Sequence, residues 1–500
     1  NICVGGKGGE NITTGDYNVA IGYNALADTT TGNKIIAIGG NAGDSLNHTD
    51  NLGTVAIGYS ALGAATTPNG NLAIGYSAMS QNTTGQFNTA LGTYAMFTYN
   101  NAGAHTGGNT ALGYKALYDM TDASGNTMVG YIAGEEITTA NYNTGVGYGA
   151  IGGSGASALT GSGNTALGYA CGYKLEGGGF SNTFVGKNCG YHTKEGNSNV
   201  AIGQSAFQMA GENNDIDKVI AIGSEALFTS DSADVDGTIA IGYRALKFNA
   251  TGRYNLAIGL DALYTNVDGD GNTAVGYQSL QEFEADTNGH GYNTALGFQS
   301  GKFIITGTDN VTIGNSAGEG TASFTSGSGV TLSSDPTVEC ASAAIWTNDW
   351  VTGNNIPDNS YVGTINAGTE GSSVTSFELK DASGDPVNTT GAATGLTLTF
   401  NPGIRADNNT VVGAQAGNLL RSVAAQNTII GKLAGSSLTY GTHNTFVGMY
   451  AGNDQTTAVS NVGVGYDACG STTTGQQNTM IGTYAGNAVT SGTKNIAIGY

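Results

Sequence analysis

The sequence has little charge, little proline or tryptophan, and no long apolar run. Charged residues make up 11% of its 500 residues, against about 25% in typical soluble domains, and only 16 of them are Lys or Arg. With a net charge of −21 and no basic patch, the chain is not expected to bind nucleic acid or anionic membrane surfaces. No apolar stretch approaches the roughly 20 residues of a transmembrane helix, so we expect no membrane span.

Glycine is in excess, at 83 residues, and it recurs in register. As composition alone, so much Gly with Asn, Thr and Ser is typical of a flexible polar linker. The Gly of the motif Asn-x-Ala-Ile-Gly instead returns at regular steps, as at Gly22, Gly39 and Gly58, over 1–318 and again over 409–500. This periodicity indicates a repeat protein and argues against a linker.

The residues before this Gly predict a strand. Ile, Val or Leu precedes the Gly, and Asn lies four residues before it in most copies. A short β-branched run ended by Gly favours a strand and a turn. One unit cannot bury its own apolar face, so we expect the units to stack as coils of a parallel β-roll or β-solenoid. An inward Asn in each coil would bond its own turn and the amide of the coil above.

The two faces of the predicted strands indicate self-association. One face carries the bulky pair of the motif, the residues one and three positions before the Gly. The other face carries mainly Ala and Gly. A solitary solenoid would show a polar face to water, whereas strands that lack a polar face are covered on both sides. We therefore expect several copies of the chain to pack together.

The motif resembles a known repeat. Asn-Val-Ala-Ile-Gly at 18–22 and 199–203, with Asn-Thr-Ala-Leu-Gly at 88–92, resembles the head repeat of trimeric autotransporter adhesins and similar repeats of phage tail fibres. The resemblance covers both repeat regions. It implies a left-handed parallel β-roll in which three chains intertwine about one axis, that is, a homotrimer. The chain departs from the adhesin pattern in its longer coils, in showing no coiled-coil stalk and in a block that interrupts the repeats.

The interrupting block predicts a separate domain. We divide the chain into β-solenoid repeats at 1–320, an inserted domain at 321–405 and further repeats at 406–500. Alternating runs at 373–379 and 395–400 predict strands of a small β-sandwich. If this inserted domain is a binding knob, its candidate binding residues are the aromatic residues Trp346, Trp350 and Tyr361.

Two interpretations of the inserted domain stay open. A domain projected from a rigid scaffold is a natural place for a receptor contact. The alternative is a spacer that thickens the fibre. The stretch 356–365 resembles the opening strands of a cadherin-like domain, but the acidic calcium motifs of that family are missing, so no metal is expected there.

No candidate for catalysis fits the repeat pattern. Ser316 lies in a Gly-x-Ser-x-Gly motif, yet the same slot holds Asn24 and Lys115 in other coils, which indicates a variable surface position. No pair of acids marks a glycosidase. The run 268–272 alternates like a calcium loop but lacks the later Gly and Glu, which favours a simple turn. We therefore expect no enzyme activity, no cofactor and no metal.

Cysteines are few, and most lie on repeat columns. Cys3, Cys171 and Cys189 replace Ala, and Cys469 replaces Leu, so buried free thiols that act as small apolar residues are the default interpretation. Cys171 and Cys189, however, occupy one column on successive coils. Strand spacing would place them about 4.8 Å apart, within the range of a disulfide, so a bridge stays open as the alternative.

Together these features predict a structural fibre. The leading hypothesis is a viral (phage) tail fibre on the virion surface, which binds a host-surface glycan or protein receptor. The alternatives are a bacterial cell-surface adhesin or extracellular filament and, from another class, a tailspike-like glycan hydrolase. Because the repeats reach both ends of the sequence, we expect the natural protein to extend beyond residues 1 and 500.

Overall fold

The computed structural model forms two compact units, Asn1–Tyr254 and Asn255–Tyr500. Outside the inserted block it describes residues 1–46, 53–66, 69–99, 107–152, 157–208, 216–229, 235–285, 291–305, 307–318, 408–420 and 424–500. Within the block it describes the backbone of eight strands. The described residues contain strands and turns and no α-helix. None of them belongs to a helix with the length and apolarity that crossing a membrane requires.

The first unit is a parallel β-solenoid in which each coil contributes one three-residue strand. Neighbouring strands pair in register, so that Ala20 lies beside Ala37, and Ala37 beside Ala56. The strands are β1 (Ile2–Val4), β2 (Val19–Ile21), β3 (Ile36–Ile38), β4 (Val55–Ile57), β5 (Leu72–Ile74), β6 (Thr89–Leu91), β7 (Thr110–Leu112), β8 (Thr127–Val129), β9 (Thr144–Val146), β10 (Thr165–Leu167), β11 (Thr183–Val185), β12 (Val200–Ile202), β13 (Ile220–Ile222) and β14 (Ile239–Ile241). The predicted solenoid is thereby confirmed.

The second unit is built of the same coils. Its solenoid strands are β15 (Leu256–Ile258), β16 (Thr273–Val275), β17 (Thr294–Leu296), β18 (Val311–Ile313), β27 (Thr410–Val412), β28 (Thr428–Ile430), β29 (Thr445–Val447), β30 (Val462–Val464), β31 (Thr479–Ile481) and β32 (Ile496–Ile498). Strand β18 pairs directly with β27, Val311 beside Thr410, although the inserted block separates them in sequence. The coils before and after the block therefore meet in register.

The inserted block forms one antiparallel sheet. Its strands are β19 (Phe324–Thr325), β20 (Val330–Leu332), β21 (Thr337–Ala343), β22 (Trp350–Thr352), β23 (Ser360–Ala367), β24 (Val374–Lys380), β25 (Ala393–Leu396) and β26 (Thr399–Asn401). They pair in the order β19-β26-β22-β23-β24-β21-β20-β25. Strands occur in both predicted runs. The two facing layers that define a sandwich stay a prediction.

In the solenoid strands β2 to β18 and β27 to β31, the middle residue is buried inside the coil. Ala20 in β2 and Phe184 in β11 are both fully buried, while their strand neighbours are partly exposed. Further along the coil, Leu26 is also fully buried. Small strand residues therefore leave room in the coil for bulky side chains from the turn.

The repeat Gly cannot be replaced without moving the next coil. Gly22 has φ 136°, a conformation that side-chain-bearing residues rarely adopt, and a Cβ added there would lie 2.5 Å from the carbonyl oxygen of Gly39. Two later residues of the same turn, Asn24 and Leu26, have φ of 56° and 52°. Non-glycine residues in this left-handed region cost of order 1–3 kcal/mol each. Burial of Leu26 and the hydrogen bonds between coils offset that cost.

An asparagine ladder runs through the coils. Asn126 Oδ1 accepts two hydrogen bonds from Asn143, one from the backbone N–H (2.9 Å) and one from the side-chain Nδ2 (3.2 Å). The first of these confirms the predicted bond to the backbone amide of the next coil. Asn126 Nδ2 donates to the carbonyl of Ala140, 14 residues on, at 2.8 Å. The predicted bond to the own turn forms at Asn88, whose Nδ2 donates to Gln86 O at 2.8 Å, whereas the Nδ2 of Asn126 donates to a carbonyl in the turn of the following coil.

Candidate binding surface

The outward side of the solenoid strands is uncovered in the single chain, and its third residue is Ile, Val or Leu in every solenoid strand while its first is Val, Ile, Leu or Thr. The first and third residues of each strand form what we call the outer strand face. Leu112 in β7 is 40% exposed, Val146 in β9 is 41% exposed and Ile202 in β12 is 39% exposed. The parallel register places each of these side chains beside its counterpart on the next coil. Within the single chain only the inner face of the strands is covered. The expected cover of the outer strand face would therefore have to come from another molecule.

A row of tyrosines borders the outer strand face in the first unit. We call this row the tyrosine ladder, and its members are Tyr59, Tyr76, Tyr94, Tyr114, Tyr131, Tyr148 and Tyr169. Adjacent ring centroids are 5.0 Å apart between Tyr114 and Tyr131 and 5.4 Å apart between Tyr131 and Tyr148, with the rings stacked. The rings stack face to face from Tyr59 to Tyr76 and again from Tyr114 to Tyr169.

Most ladder tyrosines follow the repeat Gly directly, which fixes their position on the turn. Tyr94 is the exception, because Thr93 follows Gly92 and Tyr94 comes one residue later. Its ring is T-shaped against Tyr76 at 5.4 Å and against Tyr114 at 6.5 Å. Partial loss of water contact and the neighbouring Tyr76 phenol raise the pKa of Tyr94.

The second unit carries shorter aromatic rows in the same place. Tyr277 stacks on Phe298 at 5.0 Å, and Tyr466 meets Tyr484 edge-on at 5.3 Å. Exposed apolar strand residues accompany them, including Leu296 in β17 and Ile481 in β31. Both units therefore combine outer strand residues with aromatic rings on one side of the coil.

Few charges interrupt this surface in the described part of the first unit. Lys115 Nζ lies 2.8 Å from Glu135 Oε1 and 4.6 Å from the centre of the Tyr118 ring. The hydrogen bond to Glu135 raises the pKa of Lys115, and burial followed by the Glu135 charge raises the pKa of Asp119. The cation is thus held by the carboxylate and the ring beside the tyrosine ladder.

This surface is suited to apolar contact. Stacked rings and branched aliphatic side chains offer area to be buried, while the backbone polar groups of the strands are already paired along the stack. No group of three or more His, Cys, Asp or Glu side chains in the described ranges could hold a metal ion. What the arrangement can do chemically is bind a second apolar surface.

The candidate knob residues are only partly located. Trp350 in β22 and Tyr361 in β23 are direct backbone partners in the antiparallel register. Trp346 lies outside the described residues. A binding role for these three residues stays a prediction.

The other motif residues lie in turns. Ser316 has φ 50° and its backbone N–H donates to Phe298 O at 2.8 Å, as the same slot does in other coils. In the run 268–272, Asn272 belongs to the asparagine ladder, and its Oδ1 accepts from the N–H of Asn293 at 3.0 Å. That side chain is therefore engaged in the ladder and not free to bind calcium.

Sequence reasoning missed the tyrosine ladder. The half-motif Gly-Tyr was visible after many repeat glycines, and it was the signal that could have found the ladder. What the sequence did not show is that the turn has a positive φ at every second residue, as at Gly22, Asn24 and Leu26. Comparison with protein-family models found no match. Comparison with curated proteins found none either.

Proposed function

We propose that the chain is a structural fibre protein, a viral (phage) tail fibre that attaches the virion to the host surface. The observation that carries the proposal is the outer strand face, on which an exposed Ile, Val or Leu recurs at the third strand residue of successive coils. Exposed apolar patches larger than a few hundred Å² are rare on proteins that act alone, and they mark interaction sites. Residues such as Leu112 and Val146, each about two-fifths exposed, belong to such a surface.

Copies of the same chain are the partner that fits best. Each copy has the same coil spacing, so one outer strand face can meet another coil by coil without a change of register. A partner of different periodicity would lose the match after a few coils. The resemblance to trimeric autotransporter head repeats supports three copies around one axis.

The coil design suits a mechanical role. Within a unit, backbone hydrogen bonds link neighbouring coils at the two ends of a strand, as in Thr127 N to Asn143 O (2.8 Å) and Gly130 N to Leu112 O (2.7 Å). The asparagine ladder adds a second set of bonds along the same direction. Bending such a stack would break many hydrogen bonds at once, so the coils form a stiff support for the inserted block at 321–405, which we assign to the host receptor contact.

Electron microscopy of the native source material, with an antibody against the chain, tests this proposal. We expect labelled fibres with threefold symmetry rooted on virions. Labelled fibres rooted on cells, or free filaments, would contradict the viral role and support a bacterial adhesin or extracellular filament, for which the same outer strand face would serve assembly.

A further inference from the structure

Two cysteines meet inside the first unit. The coil that contains β10 and the coil that contains β11 pair in register, with Ala166 beside Phe184. Cys171 and Cys189 follow these strands at the same place in the turn, and both are fully buried. The N–H of Gly172 donates to the carbonyl oxygen of Cys189 at 2.9 Å, which ties the two turns together at the cysteines themselves.

Both side chains are free thiols in the structure, and the two thiols are neighbours, as the two backbones are. The hydrogen bond with Cys171, followed by burial, raises the pKa of Cys189. Cys189 Sγ also lies 3.1 Å from the carbonyl oxygen of Ala201 on the next coil. Ser300, in the same slot of the second unit, makes the corresponding bond from its Oγ to Thr312 O at 2.8 Å. Ala fills this slot in most coils, so the coil tolerates the loss of that bond.

The separation suits a covalent bridge. Neighbouring strands of a sheet are about 4.8 Å apart, and disulfides join Cα atoms that are roughly 4.4–6.8 Å apart. By this general spacing, two residues at the same slot of paired coils fall within the range of a disulfide. Cys3 and Cys469 have no second cysteine at the same slot of a neighbouring coil in the sequence.

We propose that Cys171 and Cys189 form a disulfide that staples two successive coils of the first unit. The reaction is thiol–disulfide exchange with a small or protein disulfide as the oxidant. One cysteine thiolate attacks the oxidant to give a mixed disulfide and releases one thiol. The second cysteine then displaces the other half of the oxidant, so that two protons and two electrons leave the pair and the oxidant becomes two thiols.

Burial sets the order of events. A thiolate is the attacking species, and the raised pKa of Cys189 makes it scarce once the coils have closed. Exchange therefore happens as the coils form, in the presence of the oxidant. Once formed, the bridge lies where a reductant in solution does not reach it.

The test uses the full chain, secreted into an oxidising bacterial periplasm and purified without reductant. The folded chain is unfolded in denaturant with N-ethylmaleimide present, and intact mass and peptide maps are recorded. We expect two of the five cysteines to escape labelling and one cross-linked peptide pair to contain Cys171 and Cys189. Incubation of the folded chain with dithiothreitol before labelling is expected to leave that pair intact.

Matched variants separate the bridge from other pairings. Cys171→Ala, which restores the common residue of the column, is expected to fold and to expose Cys189 to labelling after unfolding. Cys469→Ala is expected to leave the cross-linked pair unchanged. Labelling of both Cys171 and Cys189 in the unreduced chain, or a cross-link from either one to another cysteine, would overturn the proposal.

Discussion

Phe184 occupies the space that a side chain at position 190 would need. A Cβ added to Gly190 would lie 2.8 Å from the Phe184 ring. Where the middle strand residue is small, as at Ala111, the turn instead supplies a buried bulky residue, as at Leu117. Other coils with a large middle strand residue also have Gly at the turn position that this side chain fills. These pairs are Met128 with Gly134, Ile429 with Gly435, and Phe446 with Gly452. At this pair of positions, each of these coils thus holds one bulky side chain, from either source.

This relationship predicts a compensating pair of substitutions. Phe184→Ala is expected to destabilise the chain by about 3–5 kcal/mol because it opens a cavity in a closed core. Adding Gly190→Leu is expected to recover part of that loss, since Leu117 occupies the corresponding slot at a similar left-handed φ of 53°. Denaturant unfolding followed by circular dichroism measures both. Gly190→Leu alone should destabilise, and a double variant less stable than Phe184→Ala would contradict the exchange.

The asparagine ladder predicts a position-dependent cost. Asn126→Ala removes the acceptor for the buried N–H of Asn143 and the donor to Ala140 O. Leaving a buried polar group without a partner costs about 1–3 kcal/mol, so we expect a loss of at least that size in the free energy of unfolding. Asn315→Ala, at an exposed turn position, is the matched control and should change little. Equal effects of the two substitutions would contradict a structural role for the ladder.

A carboxyl group in the second unit predicts a pH dependence. Burial, opposed by the hydrogen bond from Val267 N and reinforced by Asp268, raises the pKa of Glu284 to about 8 from 4.5. Between these values the folded chain holds a proton that the unfolded chain releases, so stability falls as pH rises from about 4.5 to about 8. Glu284→Gln should flatten that fall in unfolding midpoints measured across this range. Glu10→Gln, at an exposed site, should leave that fall unchanged. If the pH dependence of the Glu284→Gln midpoints equals that of the unmodified chain, the raised pKa of Glu284 is refuted.

The inserted block can be removed without breaking the stack. Strand β18 already pairs with β27, and Asn409 N donates to Asn310 Oδ1 at 3.1 Å across the insertion. Replacing 319–407 with the seven residues at 436–442, which fill the same place in another coil, restores the common coil length. We expect the chain to fold with its usual circular dichroism spectrum and to lose binding to host cells. Unchanged binding would show that the block is a spacer.

Much of the fold followed from the sequence because the repeat is strict. The Gly after each Ile, Val or Leu predicted every solenoid strand, and the inward Asn was confirmed. The turn was not predictable in the same way. Non-glycine residues such as Asn24 and Leu26 adopt left-handed conformations, and the local signal for them is weak: other coils have Gly in the Leu26 slot, as at Gly43. The tyrosine ladder depends on that turn, so its place beside the outer strand face emerged only from the structure.

The mass of the native particle tests the central claim, that copies of the chain cover the outer strand face. Light scattering coupled to size-exclusion chromatography should give three times the chain mass of 50.2 kDa for the unmodified protein. Leu112→Glu, which places a charge on the outer strand face, should release smaller species, whereas Gly178→Glu, where an added side chain meets open space, should not. A mass of one chain for the unmodified protein would contradict the account.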